Sequence, residues 1–254
     1  MVAAWMRHVA AILVAPRTLC YRLRCPAVRT PQRLAKRGSI WCSPGHAVGN
    51  DNAVTAGQPL LVLVSGPPAC GKSTLARCLA QRLAFPLLPR DAISEALADA
   101  LGSCAAEQRR DVVVASFRIF YRLMAEALST GAGVVAETNF HRGVAEDDVR
   151  PFLTTARVVI IYCHVAPELS FRRFVGRFER GERHWSSFDA ERIRQIQAGR
   201  VPEAWARAQP LELAIPSLSV DTTDGYVPDL EGIVTFVRSA GTLDHGGSGD
   251  GCHR

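Results

Sequence analysis

The chain has 254 residues, 48% of them hydrophobic and 21% charged, enough for one full α/β domain plus a tail. Its net charge of +6 is unevenly divided. Residues 1–58 hold eight basic residues against Asp51 alone, which leaves 22 basic and 23 acidic residues for the remainder. The basic balance therefore belongs to the N-terminal segment and does not mark the rest of the chain as a nucleic-acid binder. No apolar run approaches the ~20 residues of a membrane span. The short patch Val9–Ala15 lacks a small-residue cleavage site, which argues against secretion. Eight scattered cysteines suit a reducing cytoplasm better than a disulfide framework.

Residues 1–58 show no sustained period, and 38–58 are rich in Gly, Pro, Asn and Ser, the composition of a disordered, Arg-rich extension. A nonfunctional extension explains it better than a targeting peptide or a nucleic-acid-binding arm. From Leu60 onward, strand-like runs alternate with helical periods. The expected strands are 60–65, 86–88, 133–137, 157–163 and 217–221. The expected helices are 72–83, 91–101, 104–129, 145–154, 167–181, 189–208 and 229–239. This alternation implies a parallel sheet covered on both faces. Within 104–129, Val112, Ala115, Ile119 and Leu123 read as a core stripe. Residues 59–240 thus form one domain, followed by a flexible tail over 241–254.

The first strand runs into Gly66-Pro67-Pro68-Ala69-Cys70-Gly71-Lys72-Ser73-Thr74, which fits the phosphate-cradling pattern G-x-x-x-x-G-K-[ST] in its required strand–helix context. Glycines at both ends let successive backbone N–H groups turn inward toward phosphate oxygens. Lys72 is placed to reach the β- and γ-phosphates, Ser73 to ligate Mg²⁺, and the following helix offers its positive end. Cys70 sits within this loop, where a tolerated small residue is a simpler reading than a reactive thiol.

Three further features bear on what such a loop serves. Asp91, 19 residues after Lys72, falls where the second strand ends, at the edge where open parallel sheets bind ligands. A carboxylate there can orient a hydroxyl and take its proton, or serve as a helix N-cap. Glu137 ends the third strand and can hold a Mg²⁺-bound water, or pair at the surface. The run 167–188 carries Arg172, Arg173, Arg177, Arg180 and Arg183. Its members Arg173, Arg177 and Arg180 share a helix face, as a lid closing on ATP requires, although paired solvated glutamates also account for the charges.

GPPACGKST, LLPRDAISEAL, ETNF, APELSFRRFVGRFERGERH and SLSVDTTD together resemble the P-loop kinases grouped with chloramphenicol phosphotransferase, zeta toxin and the 5′-hydroxyl polynucleotide kinases. The resemblance covers about residues 59–240. It implies a three-layer α/β/α P-loop NTPase fold with a five-stranded parallel sheet of order 2-3-1-4-5 and a helical lid. It also implies Lys72 and Ser73 on phosphate and Mg²⁺, Asp91 as catalytic base, Arg173 and Arg177 as lid arginines, and Thr222 and Thr223 near the adenine. The lid tip reads RHWSSF where many relatives have Pro-Gly-His after Arg-His, and position 94 is Ser where a polynucleotide kinase has Arg. The expected activity is ATP- and Mg²⁺-dependent transfer of phosphate to a small hydroxyl-bearing molecule. The alternatives are a regulatory ATPase without a small-molecule acceptor and a nucleic-acid 5′-hydroxyl kinase.

Overall fold

The computed structural model describes residues 57–102 and 106–240. The expected extension over 1–58, all but its last two residues, and the expected tail over 241–254 lie outside them. In chain order come β1 (Leu60–Ser65), α1 (Lys72–Leu83), β2 (Leu87–Pro89), α2 (Arg90–Leu101), α3 (Ala106–Ser129) and β3 (Val134–Glu137). They are followed by α4 (Ala145–Val149), a 3₁₀ turn (Arg150–Thr154), β4 (Arg157–His164), α5 (Pro167–Glu179) and α6 (Asp189–Gln197). α7 (Glu203–Ala206), β5 (Ser217–Asp221) and α8 (Leu230–Ala240) complete the domain.

The five strands pair in parallel in the order β2-β3-β1-β4-β5. β1 is buried along its whole length, so it reads as an unbroken apolar run; its period of two decides only which layer each side chain enters. Leu60, Val62 and Val64 pack with Leu75 and Leu79 of α1 and Ile233 and Val237 of α8. Leu61 and Leu63 point the other way, to Phe120 and Met124 of α3 and Phe152 of the 3₁₀ turn. Each such buried side chain contributes about 1.5–3 kcal/mol through area removed from water. The register sets Val64 and Pro89 beside Glu137, so the carboxyl ends of the first three strands share one edge. Among the described residues no helix is long and apolar enough to cross a membrane.

Local chemistry interrupts two of the expected helices. The stretch 189–208 breaks after Gln197, where Gly199 takes φ +72° and Pro202 offers no N–H to a continuing helix. The stretch 145–154 tightens into a 3₁₀ turn at Pro151 for the same lack of a donor. The stripe on α3 is also displaced. Val112, Ser116, Phe120, Met124 and Leu128 are the buried positions, four residues apart, whereas Ile119 and Leu123 are 37% and 43% exposed. The latter two instead line an open apolar groove with Leu88, Ile93 and Leu97.

Candidate active site

The loop from Gly66 to Ser73 wraps the N-terminus of α1. Gly66 takes φ +145°, and a Cβ there would stand 2.3 Å from the Cys163 carbonyl oxygen and 2.8 Å from Cys70 Sγ. Only glycine fits this approach. Gly71 takes φ +92° and accepts the N–H groups of Thr74 and Leu75 at 3.1 and 3.2 Å, which opens the helix. The Pro67 carbonyl accepts from the Cys70 N–H at 3.4 Å and from Lys72 Nζ at 3.5 Å. Cys70 is fully buried. A hydrogen bond with the Cys163 thiol lowers its pKa to about 7 against the opposing effect of burial, while the same bond and burial push Cys163 up. With its sulfur turned inward, Cys70 presents only backbone to the cleft.

Thr222, placed at the sequence level near a nucleotide base, clamps this loop. Its hydroxyl is in hydrogen-bond contact with the Cys70 carbonyl and lies 3.0 Å from the His164 carbonyl. Ser170 Oγ donates to the Pro68 carbonyl at 2.6 Å, and Ala69 packs beside Phe174 of α5. The base of the expected lid is thus fastened to the loop it would cover.

At the strand edge, Ser73 Oγ donates to Glu137 Oε1 at 3.2 Å, and Lys72 Nζ lies 3.8 Å from the same oxygen. Glu137 is buried, and that burial raises its pKa despite Lys72 and the Ser73 bond; nearby Asp91 adds to the rise. A hydroxyl and a carboxylate side by side at a P-loop are hard oxygen donors that fit Mg²⁺. The pairing brings together residues 64 apart in sequence.

Asp91 is not the N-cap of α2. That position is Pro89, and Asp91 stands in the first turn without capping it. Its carboxylate, half exposed, lies 2.7 Å from Arg90 Nη2 and 3.9 Å from Arg183 Nη2. Partial desolvation pushes its pKa up, but Arg90, Lys72, Arg183 and Arg192 outweigh this and hold it below the ordinary carboxylate range. Arg90 is steadied over the Phe117 ring at 4.8 Å and against Thr138 Oγ1 at 3.5 Å.

The lid arginines divide. Arg173 donates to the carbonyls of Thr222 at 3.2 Å and Thr223 at 2.8 Å, which joins α5 to the end of β5. Arg177 lies within electrostatic reach of Asp91, Asp189 and Arg183, and its Nε is buried without a hydrogen-bond partner among the described residues. Arg180 and Glu182 pair with each other in solvent. Arg183, absent from the expected site residues, is held by the fully buried Asp189 at 2.7 Å. At the lid tip His184 Nε2 and Trp185 Nε1 both meet Asp99 Oδ1 of α2, at 3.0 and 2.9 Å. Sequence reasoning also passed over His141, whose ring stands among Arg90, Arg192, Arg207 and Glu203; burial first, then the arginines, lower its pKa.

A family profile described as an AAA domain, AAA_33, matches residues 61–202, more than half of the chain. A candidate kinase from Chloroflexus aurantiacus J-10-fl is similar in structure at 28% identity and TM-score 0.62, over 74% of this chain and 100% of that one. The protein APE1195 is similar at 16% identity and TM-score 0.50, over 74% of this chain and 98% of its own. A sugar kinase from Janibacter sp. HTCC2649 aligns at 16% identity and TM-score 0.48, over 73% and 99% of the two chains. No curated protein matches the sequence.

Proposed function

The chain belongs to the AAA_33 family, and from that P-loop kinase fold we propose that it transfers the γ-phosphoryl group of ATP to a hydroxyl of a small molecule. The observation that carries this reading is the position of Asp91, held at the mouth of the phosphate loop by Arg90 and Arg183 and within the field of Lys72.

In this reading the backbone amides of Gly66–Ser73 and Lys72 hold the β- and γ-phosphates. Mg²⁺, bound through Ser73 and by way of water to Glu137, would neutralise charge on the phosphate oxygens. The acceptor oxygen attacks the γ-phosphorus, the bond to the ADP oxygen breaks, and the hydroxyl proton passes to Asp91. Because the transition state is loose, positioning by Asp91 matters more than its basicity, which its cationic neighbours reduce. Arg177 and Arg183, on the Asp91 side of the cleft, would meet the charge on the transferred phosphoryl group. Arg173, with Thr222 and Thr223, shapes the wall where the nucleotide base would rest.

The test is Asp91→Asn with labelled ATP and a panel of hydroxyl compounds. Transfer is expected to fall by about 10²–10⁴-fold while ATP affinity changes little. Acceptor-independent ATP turnover that survives in Asp91→Asn would support a regulatory ATPase instead.

A further inference from the structure

We propose that the acceptor alcohol carries an oxyanion and that Arg109 recognises it; this rests on the phosphotransferase reading and narrows its acceptor class. Asp91 and Asp189, with Glu95 and Glu182 in reach of Arg183 and Arg177, share the acceptor and lid side of the cleft with Arg90, Arg177, Arg183, Arg192 and Arg109. At the phosphate end Lys72 and Glu137 offset each other. Asp91 engages Arg90 and Arg183, Asp189 engages Arg183 and Arg192, and Arg177 faces the transferred phosphoryl group. Among the described residues Arg109 has no carboxylate in an ion pair with it.

Arg109 lies near the start of α3, two helical turns before Phe117, on whose ring Arg90 rests. Its guanidinium stands 5.4 Å from the ring centroid of Phe188, the residue that leads into Asp189. It therefore joins α3 to the segment that leads into Asp189, whose partner Arg183 reaches toward Asp91. Its Nε is buried and has no hydrogen-bond partner among the described residues. Withdrawing part of a guanidinium from water without an anion to meet it is unfavourable. A carboxylate or phosphate brought in by the substrate supplies that anion, in the forked geometry that arginine binds best. Two turns of helix separate Arg109 from Phe117 by about 12 Å along the axis. Phe117 carries Arg90, the partner of Asp91, so an oxyanion site at Arg109 stands along α3 from the hydroxyl end of the cleft.

The first test uses the full chain saturated with a non-hydrolysable ATP analogue and Mg²⁺, titrated with inorganic phosphate in a calorimeter. The wild type is expected to bind phosphate saturably, Arg109→Gln about tenfold or more weakly, and Arg122→Gln, an exposed control, like the wild type. Analogue binding reports that each variant is folded. Should Arg109→Gln fail that check, Arg109→Lys keeps the charge, loses the fork, and is expected to fall between the two. No saturable phosphate binding in the wild type, or equal binding in the variant, overturns the proposal.

The second test compares turnover with matched alcohols: sugar acids against parent sugars, and nucleoside 3′-monophosphates against nucleosides. A rise in KM on Arg109→Gln confined to the anionic member supports the assignment and tells carboxylate from phosphate. Phosphorylation of 5′-hydroxyl oligonucleotides alone overturns the small-molecule acceptor. ATP turnover without transfer to any alcohol in the wild type would remove the phosphotransferase reading, while the phosphate titration still decides for or against Arg109.

Discussion

Asp189, buried beneath the lid, holds Arg183 Nε at 2.7 Å and thereby sends the Nη2 end of the same guanidinium to within 3.9 Å of Asp91. A carboxylate with no exposed surface thus decides where a lid arginine meets the acceptor side of the cleft. It binds Arg192 at 3.0 Å as well, so its removal strands two cations. Asp189→Asn is expected to lower stability by about 2–3 kcal/mol, because a hydrogen-bonded buried charge is lost while its partners keep partial access to water. Denaturant unfolding reads this directly. Phosphoryl transfer in the same variant should fall with little change in ATP affinity.

Gly66→Ala tests the close approach under the phosphate loop. The added methyl group would meet the Cys163 carbonyl at 2.3 Å, a contact that backbone cannot relieve cheaply, at a φ that alanine disfavours. Nucleotide affinity is expected to drop at least tenfold, a loss of about 1.4 kcal/mol, with most of the sheet intact. Fluorescent ATP-analogue titration and circular dichroism separate the two effects. Normal affinity would mean that the loop relaxes away from β4.

The displaced stripe on α3 makes a paired expectation. Met124 is fully buried and Leu123 is 43% exposed, although they are neighbours of similar size. Met124→Ala should cost about 2–5 kcal/mol through lost transfer energy and the cavity left behind. Leu123→Ala should stay within about 1 kcal/mol, because solvent already reaches the site. Equal costs in urea unfolding would return Leu123 to the core.

His141 sets a pH dependence. Burial and neighbouring arginines hold its folded-state pKa below its ordinary 6.5. Below that ordinary value the unfolded chain binds a proton that the folded chain resists, so stability falls as pH drops from about 7 toward the lowered folded pKa. His141→Gln should flatten that part of the curve. Tm measured from pH 7.5 downward, in wild type and variant, checks both the sign and the residue.

The strands and helices were legible from the sequence because their signals are local. Leu60–Ser65 is an uninterrupted apolar run, and Lys72–Leu83 follows a glycine that the phosphate loop requires. The site was legible only in part. Arg173 and Arg177 share a face by spacing, yet Arg173 is drawn off by two carbonyls 49 and 50 residues away, and no pattern along α5 signals that. Asp189 looks like any acid opening a helix, and Arg109 like any charge on a polar helix end. His141 follows the end of β3 by four residues, close enough in sequence to have drawn notice.

By itself the sequence determined the glycine-lined turn, the alternation of strands and helices, and the edge at which charged residues would gather. Those features depend on backbone conformation and on the periods of two and 3.6, which neighbouring residues impose on one another. Only the tertiary structure decided which arginine meets which carboxylate, which face of α3 is core, and which thiol is hidden. Such pairings are made across tens of residues, where burial and competing partners rather than chain spacing set the free energy.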